Sequence, residues 1–405
     1  MKTLLISNLY PPNALGGYER LCFAVGEELL TKGHEIGVLT SSYGGQQADY
    51  PGQKIWRSLT MLATEGNIYQ PFQATPEQRR GINEENVRQL HRVVEEFQPD
   101  VIFVWNLFFF DTTLVTALEE KYGSKVVYFL TDNWLISLFN GEFLGRYFPQ
   151  VVFGDRADSE IVSAKPDISI AGRAIFGSEY MQRLYTQAGL RFADSEVIHN
   201  GVHLPDLDGV RLAQRLSMLK HGEVRLLFAG RVVDLKGVET AIRALPDILR
   251  QLPQRKVTLD IVGDCQDNSY LGRVNALIAE LNLGDHIRFR EPVAPDTLNE
   301  LFQQYDIYLF PSLYEPFALT LIFALFAGIP TVASAAGGNT EIVFDGESGA
   351  LFTKGDAQDL ARRVLQLVND PVYRVGISRR GRVISSQFTF ATMIEKIDRS
   401  LRGRN

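Results

Sequence analysis

YLFPSLYEPFALTLIFALFAGIPTVAS, residues 308–334, reads as strand, loop, helix and strand. The apolar run Asp306–Phe310 stops at Pro311. Ser312–Pro316 is a loop with a single acidic residue, Glu315. Phe317–Ala327 has helical length and ends at Gly328, and Thr331–Ala333 starts the next strand. Pro316 suits a first helical turn, where its missing N–H costs nothing. The N–H groups of Phe317, Ala318, Leu319 and Thr320 would then point out of the carboxyl edge of a parallel sheet, a ready anion site. A carboxylate beside that site cannot serve the anion itself. It is suited to accept hydrogen bonds from hydroxyls joined to the anion, as in a sugar phosphate.

The same alternation extends in both directions. Upstream, strands are expected at Val224–Ala229, Val257–Val262 and Ile287–Phe289, and downstream at Ala350–Phe352, with helices between. The N-terminal half opens with strand Thr3–Ser7, the loop Asn8–Gly17, helix Tyr18–Thr31 and strand Ile36–Leu39, a βαβ unit that implies a parallel sheet. Helices at Glu84–Phe97, Thr112–Tyr122 and Ser178–Ala188 alternate with strands at Val101–Trp105, Lys125–Leu130, Ile168–Ala171 and Glu196–Ile198. Residues 41–80 show no clean period and read as a binding loop, a lid or disorder. The polar segment Asn200–Gly222 reads as an inter-domain linker with a short helix, Val210–Leu219. The chain is therefore expected to form two doubly wound α/β domains, at 1–205 and 206–386. In such sheets ligands bind outside the carboxyl ends of the strands, which puts a ligand in a cleft between facing domains.

Bulk properties narrow the function. With 405 residues, one core is too few. A net charge of −7 and a pI near 5.5 oppose nucleic-acid binding, which needs a basic face. Cys22 and Cys265 lie far apart in apolar patterns and read as buried free thiols of a reducing compartment. Met1-Lys2 leads straight into a strand, and no apolar run nears the ~18 residues of a membrane span. A cytoplasmic protein is expected, and contact with the inner face of a membrane is the alternative.

Charged groups at strand ends carry the chemistry. Gly230-Arg231 follows the strand Val224–Ala229, and Lys236-Gly237 opens the next helix. Arginine can clamp a phosphate through two donors, while lysine acts as a point charge. Alone, such a pair reads first as solvated loop charge, and its place in the first turn after a strand points to phosphate. Gly16-Gly17 ends the first loop of the N-terminal half and allows close backbone approach; an ordinary tight turn is the plain alternative. Asp132-Asn133 follows Lys125–Leu130 and could contact a sugar or cap the next helix. Residues 101–153 are dense in aromatics, including the adjacent rings Phe108–Phe110. They read as core, or as an apolar acceptor or membrane surface. G-x-G-x-x-G, the P-loop pattern and G-x-S-x-G are all missing from the sequence. His199 and His203 bracket Asn200-Gly201 and do not suit a metal.

These stretches together resemble the family 4 glycosyltransferases. GGYERLCFAVGEELLTKGHEIGVLT (16–40) is similar to that family's glycine loop, helix and strand, and IHNGV (198–202) to its inter-domain signature. FAGRVVDLKG (228–237) is similar to its diphosphate clamp, and IVGD (261–264) and PVAPDTL (292–298) to its nucleotide-side loops. The opening stretch is similar to its sugar-binding block. The resemblance covers nearly the whole length and implies the GT-B fold and retention of anomeric configuration. It implies that Arg231 and Lys236 hold the donor diphosphate, with Gly230 beside them, and that Glu315 contacts the donor sugar. Phe317, Ala318, Leu319 and Thr320 would offer amides, Gly16 and Gly17 would close over the donor, and Gly263 and Val293 would lie near the base. Asp132, Asn133 and Asn200 fall on the acceptor or sugar side. The terminal helix, 387–405, would cross back onto the first domain.

The chain departs from the family pattern at three places. The second Glu of the E-x7-E motif is Phe323, which cannot bind ribose hydroxyls; a lost charge-assisted hydrogen bond costs about 1.5–3 kcal/mol unless replaced. Thr131 precedes Asp132 where histidine is common. Pro316 and Ala318 replace common glycines. The expected activity is transfer of a sugar from a nucleotide-diphosphate sugar to a hydroxyl acceptor, as in polysaccharide or glycoconjugate synthesis. No cofactor and no metal are expected. A catalytically silent sugar-nucleotide binder and a phosphorylase or epimerase are the other readings.

Overall fold

The computed structural model describes residues 1–14, 16–45, 48–68, 70, 72–204, 222–294 and 297–403. The expected linker from Pro205 and its helix Val210–Leu219 lie outside these residues. The chain divides into two compact units, Met1–His199 with Met393–Asn405, and Asn200–Thr392. The sequence reading set these divisions at 205 and 387.

The first unit holds strands β1 (Lys2–Ser7), β2 (Glu35–Ser41), β3 (Gln53–Leu59), β4 (Val101–Asn106), β5 (Val126–Leu130), β6 (Ile168–Ile170), β7 (Arg173–Phe176), β8 (Leu190–Phe192) and β9 (Ser195–Val197). Its main sheet is parallel, in the order β3-β2-β1-β4-β5-β7-β9. The second unit holds β10 (Glu223–Ala229), β11 (Lys256–Val262), β12 (Ile287–Arg290), β13 (Ile307–Phe310), β14 (Thr331–Ser334) and β15 (Ala350–Phe352). They form a parallel sheet in the order β12-β11-β10-β13-β14-β15. Both orders start a doubly wound sheet with the first strand in the middle, the Rossmann-like pattern expected.

Alternation along β10 shows why each sheet needs helices on both faces. Val224, Leu226 and Phe228 join a core with Val238, Ile242 and Leu245 of the Val238–Gln251 helix and with Leu360 and Val364 of the Ala357–Asn369 helix. Leu227 and Ala229 point the other way, into a core with Leu321, Ile322 and Leu325 of the Leu319–Ala327 helix. A strand buried on both sides reads as an unbroken apolar run, which is why these strands are legible.

Several expectations need correction. The Gln53–Leu59 strand lies inside the stretch read as loop, lid or disorder. It is an edge strand with mostly half-exposed residues, so its polar side chains hide the period. The helix expected from Glu84 starts at Pro76. Thr75 caps it by a reciprocal pair, Gln78 N–H to Thr75 Oγ1 at 3.2 Å and Thr75 N–H to Gln78 Oε1 at 2.9 Å. Among the described residues Ile168–Ile170 pairs only with Leu190–Phe192, and Arg173–Phe176 takes its place in the main sheet. Cys22 is buried, but Cys265 is half-buried, packed at the rim of a core.

The terminal helix, Phe390–Arg402, is held in the first unit by polar contacts near its end. His34 and Asp398 meet at 2.7 Å, Ser400 Oγ donates to Glu196 at 2.5 Å, and Arg402 donates to the Lys32 carbonyl at 2.9 Å. Burial holds the His34 imidazole below its ordinary pKa, against the pull of Asp398.

Glycine is demanded at the junction of β10 and the next helix. Gly237 has φ +64, and a β-carbon there would lie 2.0 Å from the Pro311 carbonyl oxygen. Gly17, by contrast, has open space around its missing β-carbon. Gly237→Ala is therefore expected to destabilise the chain by more than the ~1–2 kcal/mol of left-handed strain alone. Gly17→Ala should leave stability within about 0.5 kcal/mol of the parent. Urea unfolding of both variants tests this, and equal losses would refute the distinction.

Candidate active site

The site in the second unit is assembled from loops that follow β10, β11, β13 and β14. Gly230 and Gly263 follow adjacent strands and touch through backbone. Gly230 N–H donates to the Val262 carbonyl at 3.0 Å, and Val232 N–H to the Asp264 carbonyl at 2.8 Å. A β-carbon on Gly263 would lie 1.9 Å from the Gly230 carbonyl oxygen. The two strand ends are thus pressed together just where the chain turns. Arg231 leaves this turn exposed, without an ion pair among the described residues.

Lys236 ends a short helical turn, Asp234–Lys236, before Gly237. Its ammonium lies 2.5 Å from Glu315 Oε2, with side-chain exposures of 20% and 11%. It also sits 5.7 Å from the centre of the Phe310 ring. Two backbone contacts align the partners. Leu313 N–H donates to the Leu235 carbonyl at 2.8 Å, joining the β13 loop to the β10 loop. Gly338 N–H donates to the Glu315 carbonyl at 2.8 Å, joining the same loop to the turn after β14. A β-carbon on Gly338 would lie 2.3 Å from the Pro316 carbonyl oxygen. Asn339 and Ser334 complete the seam: Asn339 Nδ2 donates to the Ser334 carbonyl at 3.1 Å, and Ser334 Oγ donates to the Ser312 carbonyl at 2.5 Å.

This seam corrects the expected helix start. The helix runs Leu319–Ala327 with Ala318 as its N-cap, so Pro316 and Phe317 lie before it. Phe317 is buried and its ring meets that of Phe388 at 5.7 Å. The helix therefore presents the first-turn amides of Leu319 and Thr320, while Leu321 N–H already donates to the Ala318 carbonyl at 3.1 Å. The Thr320 side chain reaches the Tyr308 hydroxyl, which burial pushes well above its ordinary pKa and which donates to the Ala229 carbonyl at 3.2 Å. Tyr308 thereby ties the base of β13 to the end of β10.

The remaining expected residues in this unit are more dispersed. Phe323 lies on the Leu319–Ala327 helix, half-buried against the apolar core of that face. Val293 lies beyond β12 and is 38% exposed. Asn200 is buried, beside the bridge in which Val202 N–H donates to the Phe388 carbonyl at 3.0 Å and Phe390 N–H to the Val202 carbonyl at 2.9 Å. Gly338 and Asn339 are not among the expected residues; the Gly-Gly-Asn run at 337–339, two residues after β14, is the signal that marks them.

The first unit gathers its own polar groups at the same strand ends. Gly16 N–H donates to Glu19 Oε2 at 3.0 Å, so the glycine turn is closed by a buried carboxylate. Tyr18 donates its hydroxyl to the Phe129 carbonyl at the end of β5. Asp132 follows β5 and accepts from Trp134 N–H at 3.0 Å. Asn133 stands at the N-cap of the Trp134–Tyr147 helix and makes no side-chain cap, so the Asp132 contact supplies the acceptor there. Burial pushes the Asp132 carboxyl up to about 6, and Glu19 adds to this, against the Trp134 amide. The aromatic stretch is mainly core: Phe103, Trp105, Tyr128, Phe129, Trp134, Phe143 and Tyr147 are buried, whereas Phe108 is 47% and Phe153 is 53% exposed.

The Asp132 shift has a sign that can be measured. Its folded pKa exceeds its unfolded value, so the folded chain keeps the proton that the unfolded chain loses first. The contribution of Asp132 to stability is thus full below about pH 4 and declines as pH rises to about 6. Asp132→Asn retains the acceptor for Trp134 and should flatten that decline. Stability curves from pH 4 to 7 for parent and variant test this; parallel curves would refute it.

Two family models match the chain in succession. Residues 15–205 match "Glycosyltransferase Family 4", and residues 214–383 match "Glycosyl transferases group 1". A D-inositol 3-phosphate glycosyltransferase of Corynebacterium aurimucosum is 31% identical over 189 residues, 46% of this chain and 45% of that protein. The alignment thus spans about half of that relative. An uncharacterized glycosyltransferase of Methanocaldococcus jannaschii is 25% identical over 401 residues, 92% of this chain and 90% of that protein. The solved sucrose-phosphate synthase of Thermosynechococcus elongatus superposes with a TM-score of 0.70 at 20% identity, covering 99% of this chain and 98% of that one. With both family models in chain order and two Rossmann-like units beneath them, the chain belongs to the GT-B glycosyltransferases of the family 4 type.

Proposed function

We propose that this protein is a retaining glycosyltransferase that moves a sugar from a nucleotide-diphosphate sugar to a hydroxyl acceptor, without a metal, in glycan or glycoconjugate synthesis. The observation that carries this reading is the Lys236–Glu315 pair at the carboxyl edge of the second sheet. A cation and a carboxylate in contact suit a ligand with an anionic part and a hydroxylated part. Lys236 and the exposed Arg231 take the diphosphate, and the amides of Leu319 and Thr320 add donors. Glu315 accepts from sugar hydroxyls. As the bond to the donor phosphate breaks, negative charge grows on the leaving oxygen, and Lys236 and Arg231 stabilise it. Two protein cations supply the charge that a metal would otherwise bring. The leaving phosphate oxygen takes the acceptor proton as the acceptor oxygen bonds to the anomeric carbon on the same face. The protein positions and polarises, and needs no nucleophile of its own.

Lys236→Ala should lower kcat roughly 10²–10³-fold, as expected for loss of one preorganised donor. Glu315→Gln should lose transfer while the nucleoside diphosphate still binds by calorimetry, since Glu315 serves the sugar. A melting curve on each variant controls for the partner charge left half-buried. Unchanged kcat in Lys236→Ala, or lost diphosphate affinity in Glu315→Gln, would contradict these roles. Activity should also survive chelation.

Phe323 favours a second reading, a silent sugar-nucleotide binder. Its ring packs on apolar core where a ribose-binding carboxylate is expected. Turnover of any nucleotide sugar by the full chain removes that reading.

A further inference from the structure

Three residues leave the second sheet side by side. In the pairing of β10 with β11, Ala229 is level with Val262, and in that of β11 with β12, Val262 is level with Arg290. Gly230, Gly263 and Glu291 therefore form a row along the carboxyl edge, and Gly263 N–H donates to the Arg290 carbonyl at 3.1 Å. Neighbouring strands lie about 4.8 Å apart, which sets Glu291 about 10 Å from Gly230 and its neighbour Arg231. The middle of the row is bare backbone. A β-carbon on Gly263 would lie against the Gly230 carbonyl oxygen, so position 263 puts no side chain into the gap.

This row sets the direction of a bound donor, and the step rests on the activity proposed above. The sugar lies toward Glu315, after β13, and the diphosphate lies toward Arg231 and Lys236, after β10. The nucleoside then runs the other way along the edge, over β11 to β12. An extended nucleoside diphosphate covers a similar distance from its phosphates to its base.

The end of β12 offers that base an apolar surface and one free charge. Pro292 and Val293 are exposed, and so is Glu291, which makes no ion pair among the described residues. The charges around it are engaged or set back. Arg290 pairs with the buried Asp260 at 2.5 Å, and the Tyr305 hydroxyl donates to the same carboxylate at 2.8 Å. Asp264 accepts from Gln266 at 3.0 Å, and Arg288 is level with Asp260, inside the sheet.

A carboxylate can only accept. Guanine presents two adjacent donors on one edge, N1–H and the N2 amino group, which match the two carboxylate oxygens. Uracil and thymine hold a single N–H between two carbonyl oxygens, which a carboxylate repels. Adenine and cytosine set one amino group beside a ring-nitrogen acceptor. We infer that Glu291 selects the base and that the donor is a guanosine diphosphate sugar, with Pro292 and Val293 against the face of the guanine.

Calorimetry of the full chain with the diphosphates of guanosine, uridine, adenosine, cytidine and thymidine tests this without turnover. The guanosine compound should bind at least about tenfold more tightly than the others, as expected for a charge-assisted contact. Glu291→Ala should remove that advantage and leave the other four within about twofold of the parent. Glu291→Gln should also lose most of it, because its amide turns one acceptor into a donor. Equal affinities in the parent, a preference for another base, or a guanosine preference that survives Glu291→Ala would overturn the inference and leave the transferase standing. Failure of all five to bind would overturn both.

Discussion

The approach of the Pro311 carbonyl to Gly237 is the constraint on which the candidate site depends. A β-carbon at position 237 would occupy that oxygen's space, at 2.0 Å. Because glycine stands there, the loop after β10 can lie directly on the loop after β13, and the Leu313 to Leu235 hydrogen bond can form. That contact delivers Lys236 to Glu315. The same close packing repeats sideways, Gly263 under Gly230 and Gly338 under Pro316. Four loops are thereby fixed by backbone contacts, with little left to side-chain choice. Preorganisation of this kind is what a site needs if it works by positioning and electrostatics.

The ion pair held in this frame is half-way to being a binding site. Each charge is largely withdrawn from water, so each needs a partner. Without a ligand, lysine and glutamate satisfy each other. A diphosphate offers Lys236 a second anion, while sugar hydroxyls offer Glu315 donors without competing for its charge. The pair can therefore admit a sugar phosphate without leaving either group uncompensated. A ligand with only one of these parts would leave one group with its original partner alone.

Most of the sheet framework was legible in the sequence, for a physical reason. Central strands such as β10 and β11 are buried on both faces, so their apolar runs are unbroken. Gln53–Leu59 was not legible because the edge strand leaves Lys54 exposed while the half-buried Arg57 turns to the carbonyls of Tyr10 and Pro11, so no clean apolar period shows. The start of the Leu319–Ala327 helix was misplaced because Pro316 fits a first helical turn locally. Burial of Phe317 and the Gly338 to Glu315 bond, both contributed by distant chain, keep that stretch out of the helix. Arg231, Lys236 and Glu315 could be named from position after strands. The Lys236–Glu315 contact could not, since it is made by tertiary proximity.

Glycines separate what each unit explains by itself. Gly237, Gly263 and Gly338 are accounted for inside the second unit, because neighbouring carbonyl oxygens leave no room for a side chain. Gly16 and Gly17 are different. Gly16 has extended backbone with φ −160, open to any residue, and both glycines face open space. Neither strain nor crowding within the first unit requires glycine at either position. The Gly16 amide is itself already taken by the buried Glu19 carboxylate. Phe323 is the converse case. Its ring packs on the apolar core its neighbours form, and a carboxylate at that point would have to leave that core.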